Sequence, residues 1–302
     1  MKKIKKMPYL WFILPGLILY IVFMMAPMLT SFYLSLFSWN GIGSMKFISF
    51  DNYIKLFTES RSFDMFTNAL GNNIKYVLCM LIIIMPIQLL LAYAFHMKIK
   101  GYRTLQLLVF LPFVFSTVIV GFFVMELFNP NFGIINTVLK NLNLEQLITS
   151  WLGDRNKAFP IFVAVAGWQG LGVGMMLFLS NMKSIPMDIM EASEIDGAGA
   201  FSKFFSVVIP CIIPSIINVL VLDVIWGLTV FDLPYVIVGP NGGVNGSLDF
   251  MNLFFYRNAF GTGYSGEAQV GFASAIGTVL FVVILAISIF QTNFLNKIDL
   301  ES

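Results

Sequence analysis

The chain has 302 residues, of which 58% are hydrophobic and only 11% are charged, and its formal net charge is +2. An ordinary soluble domain carries about 25% charged residues, so this composition excludes that class of protein. It favours a protein that lies in a lipid bilayer, and we expect no nucleic-acid partner.

Charged residues are missing from six long blocks of the sequence. The blocks cover 7–45, 76–97, 104–125, 158–182, 204–222 and 268–296. About 20 apolar residues cross the hydrocarbon core as a helix, and each block reaches or nearly reaches that length. Because backbone groups in lipid must pair within their own segment, we expect helices. The prediction is an all-α polytopic membrane protein with six transmembrane helices, at about 10–36, 75–96, 104–127, 159–182, 205–231 and 270–292.

The N-terminal segment 1–6 carries four lysines ahead of the first apolar block, which fits either a signal peptide or a first span. The apolar core of a signal peptide is about 7–15 residues long and ends at a small-residue cleavage site. The apolar run here is about twice that length, and no clear cleavage pattern follows it. An uncleaved first span is favoured, and a cleaved signal peptide is the alternative.

Basic residues in short loops predict the orientation, because they are retained on the cytoplasmic side. Besides the N-terminal lysines, the turn between the second and third spans carries Lys98, Lys100 and Arg103 and no acid. Two crossings separate these groups, so both lie on the cytoplasmic side. An even number of spans returns the chain there, and we predict that the N- and C-termini are both cytoplasmic.

The loop between the fourth and fifth spans, residues 184–203, predicts a short amphipathic helix on the cytoplasmic surface. Pro186 suits the first turn of a helix, and Gly197 and Gly199 end it. Held between two spans, such a helix can pass rigid-body motion from a soluble partner to the membrane helices. The alternative is an interfacial helix among lipid headgroups. The helix carries acids and no basic residue, which counts against binding to anionic lipid.

This loop and the span after it carry a motif of fixed order. It reads Glu191-Ala192-Ser193, Asp196-Gly197-Ala198, Phe204 or Phe205, and Ile209-Pro210. The pattern resembles the EAA loop of ABC-importer permeases, in the sugar and glycerol-3-phosphate branch of maltose-permease type. Matching residues run along nearly the whole chain, namely 47–53, Tyr102-Arg103, Leu111-Pro112, Phe128-Asn129, Phe132-Gly133, Asn136, Trp168, Phe231-Asp232 and Tyr235. The chain departs from the family in having Ser193 for Ala and Gly239-Pro240-Asn241-Gly242-Gly243 for Gly-Gly-Pro.

The resemblance implies a single transmembrane permease domain over 1–302 with the core of a type I ABC importer. It implies a multi-pass protein of the bacterial cytoplasmic membrane that works with a second homologous permease, ABC ATPase subunits and an extracellular solute-binding protein. This chain has no G-x-x-x-x-G-K-[ST] phosphate loop, so ATP and Mg²⁺ are expected on the ATPase and no cofactor is expected here.

The resemblance also implies an ATPase-coupling site. Its residues are Glu191, Ala192, Ser193, Asp196, Gly197 and Ala198. The helix around Glu191 docks in a cleft of the ATPase, where Glu191 faces a basic group. Ala192 must then stay small, and Gly197 permits the turn between two short helices.

Asp223 is the one carboxylate well inside a predicted span, and intramembrane acids usually face a cavity or a partner. The resemblance places two helix faces on the solute pathway, formed by Asp223, Gly227 and Val230 and by Ala166, Gly170, Val173 and Gly174. Carboxylates hydrogen-bond sugar hydroxyls, and the rings of Trp168, Trp226 and Phe231 lie nearby in sequence. The alternative for Asp223 is a structural hydrogen bond to another helix.

Small residues recur four apart in two spans, at Gly170 and Gly174, Gly271 and Ala275, and Ala273 and Gly277. Small residues at this spacing let helix backbones approach closely in lipid. Packing within this subunit and contact with a partner membrane subunit are both open interpretations.

No Lys or Arg lies deep in any predicted span, which favours a neutral sugar or oligosaccharide over an anionic solute. We predict a permease that forms half of the pathway by ATP-driven alternating access. The alternative is a stand-alone secondary transporter of a small polar solute, but no internal repeat accompanies the single carboxylate. An enzyme is not expected, because Cys79, Cys211 and His96 form no catalytic or metal-binding constellation.

Overall fold

The computed structural model describes the backbone of residues 9–301 and the side chains of residues 12–293. Within that range the chain is almost entirely helical, as predicted. The α-helices are α1 Tyr9–Tyr20, α2 Ala26–Leu34, α3 Asp51–Thr58, α4 Ser60–Cys79, α5 Met85–His96, α6 Tyr102–Val114, α7 Thr117–Leu127, α8 Ile134–Asn141, α9 Arg155–Met182, α10 Met187–Ile195, α11 Ala200–Lys203, α12 Ile209–Cys211, α13 Ile213–Thr229, α14 Asp232–Val238, α15 Met251–Phe260 and α16 Val270–Glu301.

A short antiparallel ribbon interrupts the helical pattern after the first span. β1 (Phe37–Ser38) pairs with β2 (Lys46–Phe47), with Phe37 opposite Phe47. The rings of these two residues meet edge to face, with their centroids 5.3 Å apart. Strands of two residues build no sheet of their own, so the all-α class stands.

Three helices of the described range contain a π-helical turn just before a proline. The turns cover Ile21–Met25, Met80–Ile84 and Phe204–Val208, and the prolines are Pro27, Pro86 and Pro210. A proline ring clashes with the carbonyl four residues earlier and has no N–H to donate. In each case that carbonyl lies inside the widened turn, and the residue before the proline donates five residues back. The widening therefore carries the helix past the proline without a break.

The third predicted span, 104–127, is bent by 93° between α6 and α7. Phe115 and Ser116 have extended backbone dihedrals, so they end one helix and precede the next. Ser116 occupies the N-cap of α7, although its side chain makes no capping hydrogen bond there. None of these residues is charged, so the charge-free block gave no sign of the bend.

Among the described residues, five helices are long and apolar enough to cross a membrane, and the bent pair raises the number to six. The helix of the second predicted span begins earlier, at Ser60, because segment 60–74, whose charged and polar residues set it apart from the apolar block, is helical as well. The helix of the fifth begins later, at Ile213, because the chain at Ile212 leaves the helical conformation, with φ −109° and ψ 13°.

The predicted orientation rests partly on residues outside the described part of the chain. The lysines at 2–6 lie there, as do the side chains of 294–302. Cytoplasmic termini therefore stay a prediction.

The chain divides into two compact units. The first comprises the described residues up to Phe63 together with Phe255–Val282, and the second comprises Asp64–Phe254 together with the described residues from Val283 onward. The prediction of one permease domain over 1–302 stays a prediction.

In the first unit, polar contacts join β1 to α3, and the Gly271 N–H at the start of α16 donates to the Trp39 carbonyl just after β1 at 3.2 Å. Asn52 Nδ2 donates to the carbonyls of Ser35 and Phe37 at 2.8 and 2.9 Å. The backbone of Gly271 lies so close to the Phe37 carbonyl that a side chain there would collide with it. The Gly271 position therefore serves packing inside this subunit.

The second unit contains two apolar cores along the continuous helix Ser60–His96. One core surrounds Tyr76, Met80 and Ile84 and includes the rings of Phe162 and Phe250. The other surrounds Met85, Ala92 and Tyr93 and includes Met175, Phe178, Phe204 and Val219. This helix therefore contributes side chains to both cores.

Candidate functional site

The 184–203 loop begins with a helix whose two ends follow from its sequence. α10 begins after Pro186, which is extended with ψ 138° and so precedes the helix instead of lying in its first turn. At the other end, the N–H groups of Gly197 and Ala198 donate to the carbonyls of Glu194 and Ser193, both at 3.0 Å. Gly197 has φ +76°. This is the Schellman ending that glycine favours, and it turns the chain into α11.

The predicted coupling residues are mostly exposed on this loop. Glu191, Ala192, Asp196 and Gly197 are exposed and Ala198 is half-buried. Ser193 is buried and donates its hydroxyl to the Met190 carbonyl at 2.6 Å, so it serves the helix itself.

Large apolar side chains of the same loop also face outward. Ile195 is 87% exposed and Phe201 is 75% exposed. Apolar side chains next to exposed acids form a surface suited to a protein partner.

Two side-chain contacts fasten the loop from within. Lys203 Nζ lies 2.7 Å from Glu194 Oε1, with the lysine side chain 4% exposed and the glutamate side chain 65% exposed. Tyr93, in α5, donates its hydroxyl to the Ala200 carbonyl at 2.7 Å. The loop is thus tied both to itself and to a membrane helix.

A cavity of about 630 Å³ lies in the second unit, where the bend of the third span meets α9 and the end of α13. It is lined by Tyr76, Phe113, Val114, Phe115, Ser116, Thr117, Ala166, Gln169, Gly170, Trp226, Thr229, Val230, Phe231, Asp232 and Leu233. Aromatic rings alternate with hydroxyl and amide groups, and Asp232 is the charged residue among these lining side chains. Such a wall can stack on the apolar face of a polar solute and hydrogen-bond its edges.

Three of the predicted pathway residues, Ala166, Gly170 and Val230, line this cavity. Four do not line it: Val173, Gly174, Asp223 and Gly227. Any side chain at Gly174 would meet the Gln88 amide, and one at Gly227 would meet Val77, so both glycines permit close helix packing. Gly170 and Gly174 therefore differ in role despite their spacing, since Gly170 borders open space.

Asp223 is buried in α13, with 3% of its surface exposed. Its Oδ2 atom has no hydrogen-bond partner among the described residues. A buried carboxylate oxygen without a partner is costly, so structural stability alone gives little reason for an acid here. Asp223 keeps its predicted pathway role as a hypothesis.

The structure adds cavity residues that sequence reasoning missed. Gln169 donates its amide to the Phe115 carbonyl at 3.1 Å and to Thr117 Oγ1 at 3.4 Å, and so ties α9 to the bend. A glutamine in an apolar block was a usable signal, because polar residues in spans usually have a partner. Tyr76 gave no such signal, since its place on the wall depends on tertiary packing.

A second cavity nearby is apolar and contains Trp168, one of the aromatic residues flagged in the sequence. Trp226 and Phe231 lie in the polar cavity instead. Among the described residues, no group of three or more His, Cys, Asp or Glu side chains is placed to hold a metal ion.

Comparison with known proteins gives matches along almost the full length. The family described as binding-protein-dependent transport system inner membrane component matches residues 84–299. The probable ABC transporter permease protein YurN of Bacillus subtilis is 31% identical over 96% of each chain. The multiple sugar-binding transport system permease protein MsmF of Streptococcus mutans is 32% identical over 95% of each chain.

A solved structure shares the fold. It is a bacterial alginate ABC transporter in complex with an alginate pentasaccharide-bound periplasmic protein, and one of its chains superposes with a TM-score of 0.83 at 23% identity. The match covers 99% of this chain and 98% of that one. The resemblance to ABC-importer permeases is confirmed, and the chain belongs to the family of binding-protein-dependent transport system inner membrane components.

Proposed function

We propose that this chain forms half of the transmembrane pathway of a bacterial ABC importer for a neutral sugar or oligosaccharide. It lies in the cytoplasmic membrane, and a second homologous permease completes the pathway. ATP is hydrolysed on separate ATPase subunits, which drive alternating access. The observation that carries the proposal is the polar, aromatic cavity at the bend of the third span.

The chemistry of this cavity supports a neutral polyhydroxylated solute. The rings of Tyr76, Trp226 and Phe231 offer flat apolar surfaces, and Gln169 and Thr229 offer hydrogen-bonding groups. Its volume of about 630 Å³ falls within the usual range for small-molecule sites, about 300–1,000 Å³. No lysine or arginine is among the described lining residues, so an anionic solute would find no counter-charge on this half of the pathway.

The 184–203 loop supports the proposed link to the ATPase. Glu191 and Asp196 are exposed acids beside exposed apolar side chains, which suits a partner with a basic, apolar cleft. Ala192 is exposed and small, so the helix can lie close against such a partner. In this proposal Glu191 meets the basic group, and the glycine turn at Gly197 sets the angle of the helix.

The remaining proposed partner is an extracellular solute-binding protein. The related solved transporter is in complex with a saccharide-bound periplasmic protein, and one relative is named for multiple-sugar binding. These names support a saccharide carried by a binding protein.

The test is uptake by the purified complex, with its co-purifying subunits and binding protein, in sealed vesicles. The probes are a panel of labelled neutral oligosaccharides and one labelled alginate oligosaccharide. We expect ATP-dependent and binding-protein-dependent uptake of a neutral probe. Uptake that persists without ATP and partners would indicate a stand-alone transporter, and preferred uptake of the alginate probe would refute the neutral-solute assignment.

A further inference from the structure

The short helix α11, Ala200–Lys203, is held from two sides. On one side Lys203 pairs with Glu194 of α10 at 2.7 Å. On the other side the Ala200 carbonyl accepts a hydrogen bond from Tyr93 of α5 at 2.7 Å. The Tyr93 ring also lies 4.8 Å from the ring of Phe204, the residue after Lys203. α10 is therefore connected to α5 through side chains.

The backbone offers less direct connections from α10 to the cavity. Towards α9 the chain passes through residues 183–186, where Pro186 is extended. Towards α13 it passes through the Gly197 turn and through Ile212, which is not helical. Each covalent connection to a cavity-lining span thus departs from regular helix, at Pro186 on one side and at Gly197 and Ile212 on the other.

The side-chain connection instead reaches a continuous helix. Tyr93 and Tyr76 belong to the same helix, Ser60–His96, and lie about 25 Å apart along its axis at a rise of about 1.5 Å per residue. Tyr76 lines the solute cavity, and the helix is packed on both apolar cores of the unit. The Met80–Ile84 π-turn lies between the two tyrosines without breaking the helix, so we expect a displacement applied at Tyr93 to reach the cavity wall.

We propose that Glu194, Lys203 and Tyr93 form a relay that passes the motion of α10 to the Ser60–His96 helix and so to the solute cavity. The relay rests on the proposed coupling role of the 184–203 loop and adds the route by which that loop acts. The three residues are positioning residues, since none of them lines the cavity.

The ion pair is suited to this task because the lysine has little access to water. Its side chain is 4% exposed, so separation from Glu194 would leave a buried charge without its partner. Breaking such a pair costs much more than forming it gains. α10 and α11 are therefore expected to move as one body, although the glycine turn lies between them.

The relay can be tested without knowing the solute, by following a reporter in the cavity. Cys79 and Cys211 are replaced by serine, and Thr229→Cys places one thiol on the cavity wall. Labelling by a membrane-impermeant maleimide is timed on the assembled complex, with and without ATP and vanadate. Lys203→Met, Glu194→Gln and Tyr93→Phe are each added to this background, and ATP hydrolysis and subunit stoichiometry are measured on the same samples.

In the reporter background we expect trapping with ATP and vanadate to change the labelling rate. Each relay variant should reduce this ATP-dependent change in labelling rate by at least about threefold, which is within the range for mutations along a coupling network. The ATPase should still co-purify with each variant. The double change Glu194→Lys with Lys203→Glu should restore the ATP-dependent change in labelling rate. Lys157→Met breaks the exposed pair with Asp154 at 3.7 Å and is the matched control. It should leave the ATP-dependent change in labelling rate as large as in the reporter background.

The outcomes separate the relay from the proposed function. A full response to ATP in all three relay variants, or no rescue by the exchanged pair, overturns the relay alone. Absence of any response in the reporter background, or of an ATPase in the purified complex, overturns the coupling role and the relay with it.

Discussion

The side-chain amide of Gln169 donates to the Phe115 carbonyl across 3.1 Å, at the point where the third span bends by 93°. A carbonyl released from a helix within a membrane must find another partner, because lipid offers none. Gln169 supplies that partner from α9. One wall of the cavity therefore depends in part on the polar contacts that Gln169 makes between two spans.

Gln169→Leu is expected to destabilise the protein by about 1–2 kcal/mol, since the Phe115 carbonyl loses its partner. It should also reduce uptake, because the bend that shapes the cavity is no longer held. Thermal unfolding in detergent and uptake in vesicles measure the two effects. Gln106→Leu is the matched control, as Gln106 is half-buried like Gln169 and donates to Met176 Sδ, a weak acceptor. Equal effects of the two changes would contradict the assignment.

Gly197→Ala is expected to strain the turn after α10. The residue has φ +76°, where a side chain costs about 1–2 kcal/mol. The relief of that strain reorients α10, so less ATPase should co-purify and less solute should be moved per ATP. Gly199→Ala is the matched control, because Gly199 has φ −65° and open space around its Cα. If both variants retain the ATPase equally, the turn does not set the docking angle.

Gly172→Ala is expected to force α9 away from α6. A Cβ atom at this position would lie 2.7 Å from the Phe110 Cα and 2.9 Å from the Val109 carbonyl oxygen, and backbone cannot yield as a side chain can. The expected loss of stability is about 1–3 kcal/mol, the usual cost of overpacking. Gly170→Ala, two residues away, meets nothing within 4 Å and should leave stability unchanged or raise it, since alanine is the better helix former. Thermal unfolding of the two variants would reveal the difference, and equal midpoints would contradict it.

The sequence predicted best what depends on local chemistry. Charge-free blocks located the apolar helices, since the energetic cost of charge in lipid acts residue by residue. The turn at Gly197 was also predicted, because the left-handed conformation is a local demand that glycine meets. The coupling motif could be placed on a surface loop because its acidic residues are costly in lipid.

What depends on packing between distant residues was not predictable in this way. The Lys203–Glu194 pair, the position of Tyr76 on the cavity wall and the role of Gln88 against Gly174 all need the tertiary arrangement. The bend at Phe115 left no mark in the charge pattern, although Pro112 and Ser116 preceded α7. Small-residue spacing was ambiguous as well, since Gly170 borders a cavity and Gly174 a side chain.

The last prediction concerns Asp223, which the sequence marked and the structure places outside the cavity lining. Asp223→Asn keeps the shape of the side chain and removes a buried charge whose Oδ2 has no partner among the described residues. The free energy of unfolding should therefore stay the same or rise. Uptake should fall about tenfold if the carboxylate serves the solute pathway, the loss expected for one charged hydrogen bond of about 1.5 kcal/mol.

Uptake by vesicles and thermal unfolding of the same variant decide between the two roles of Asp223. Asp154→Asn is the control, because Asp154 caps the exposed start of α9 and asparagine caps a helix equally well. Lower uptake at unchanged stability would place Asp223 among the pathway residues. Unchanged uptake with a lower unfolding temperature would assign it to helix packing instead, since only a lost structural contact produces that combination.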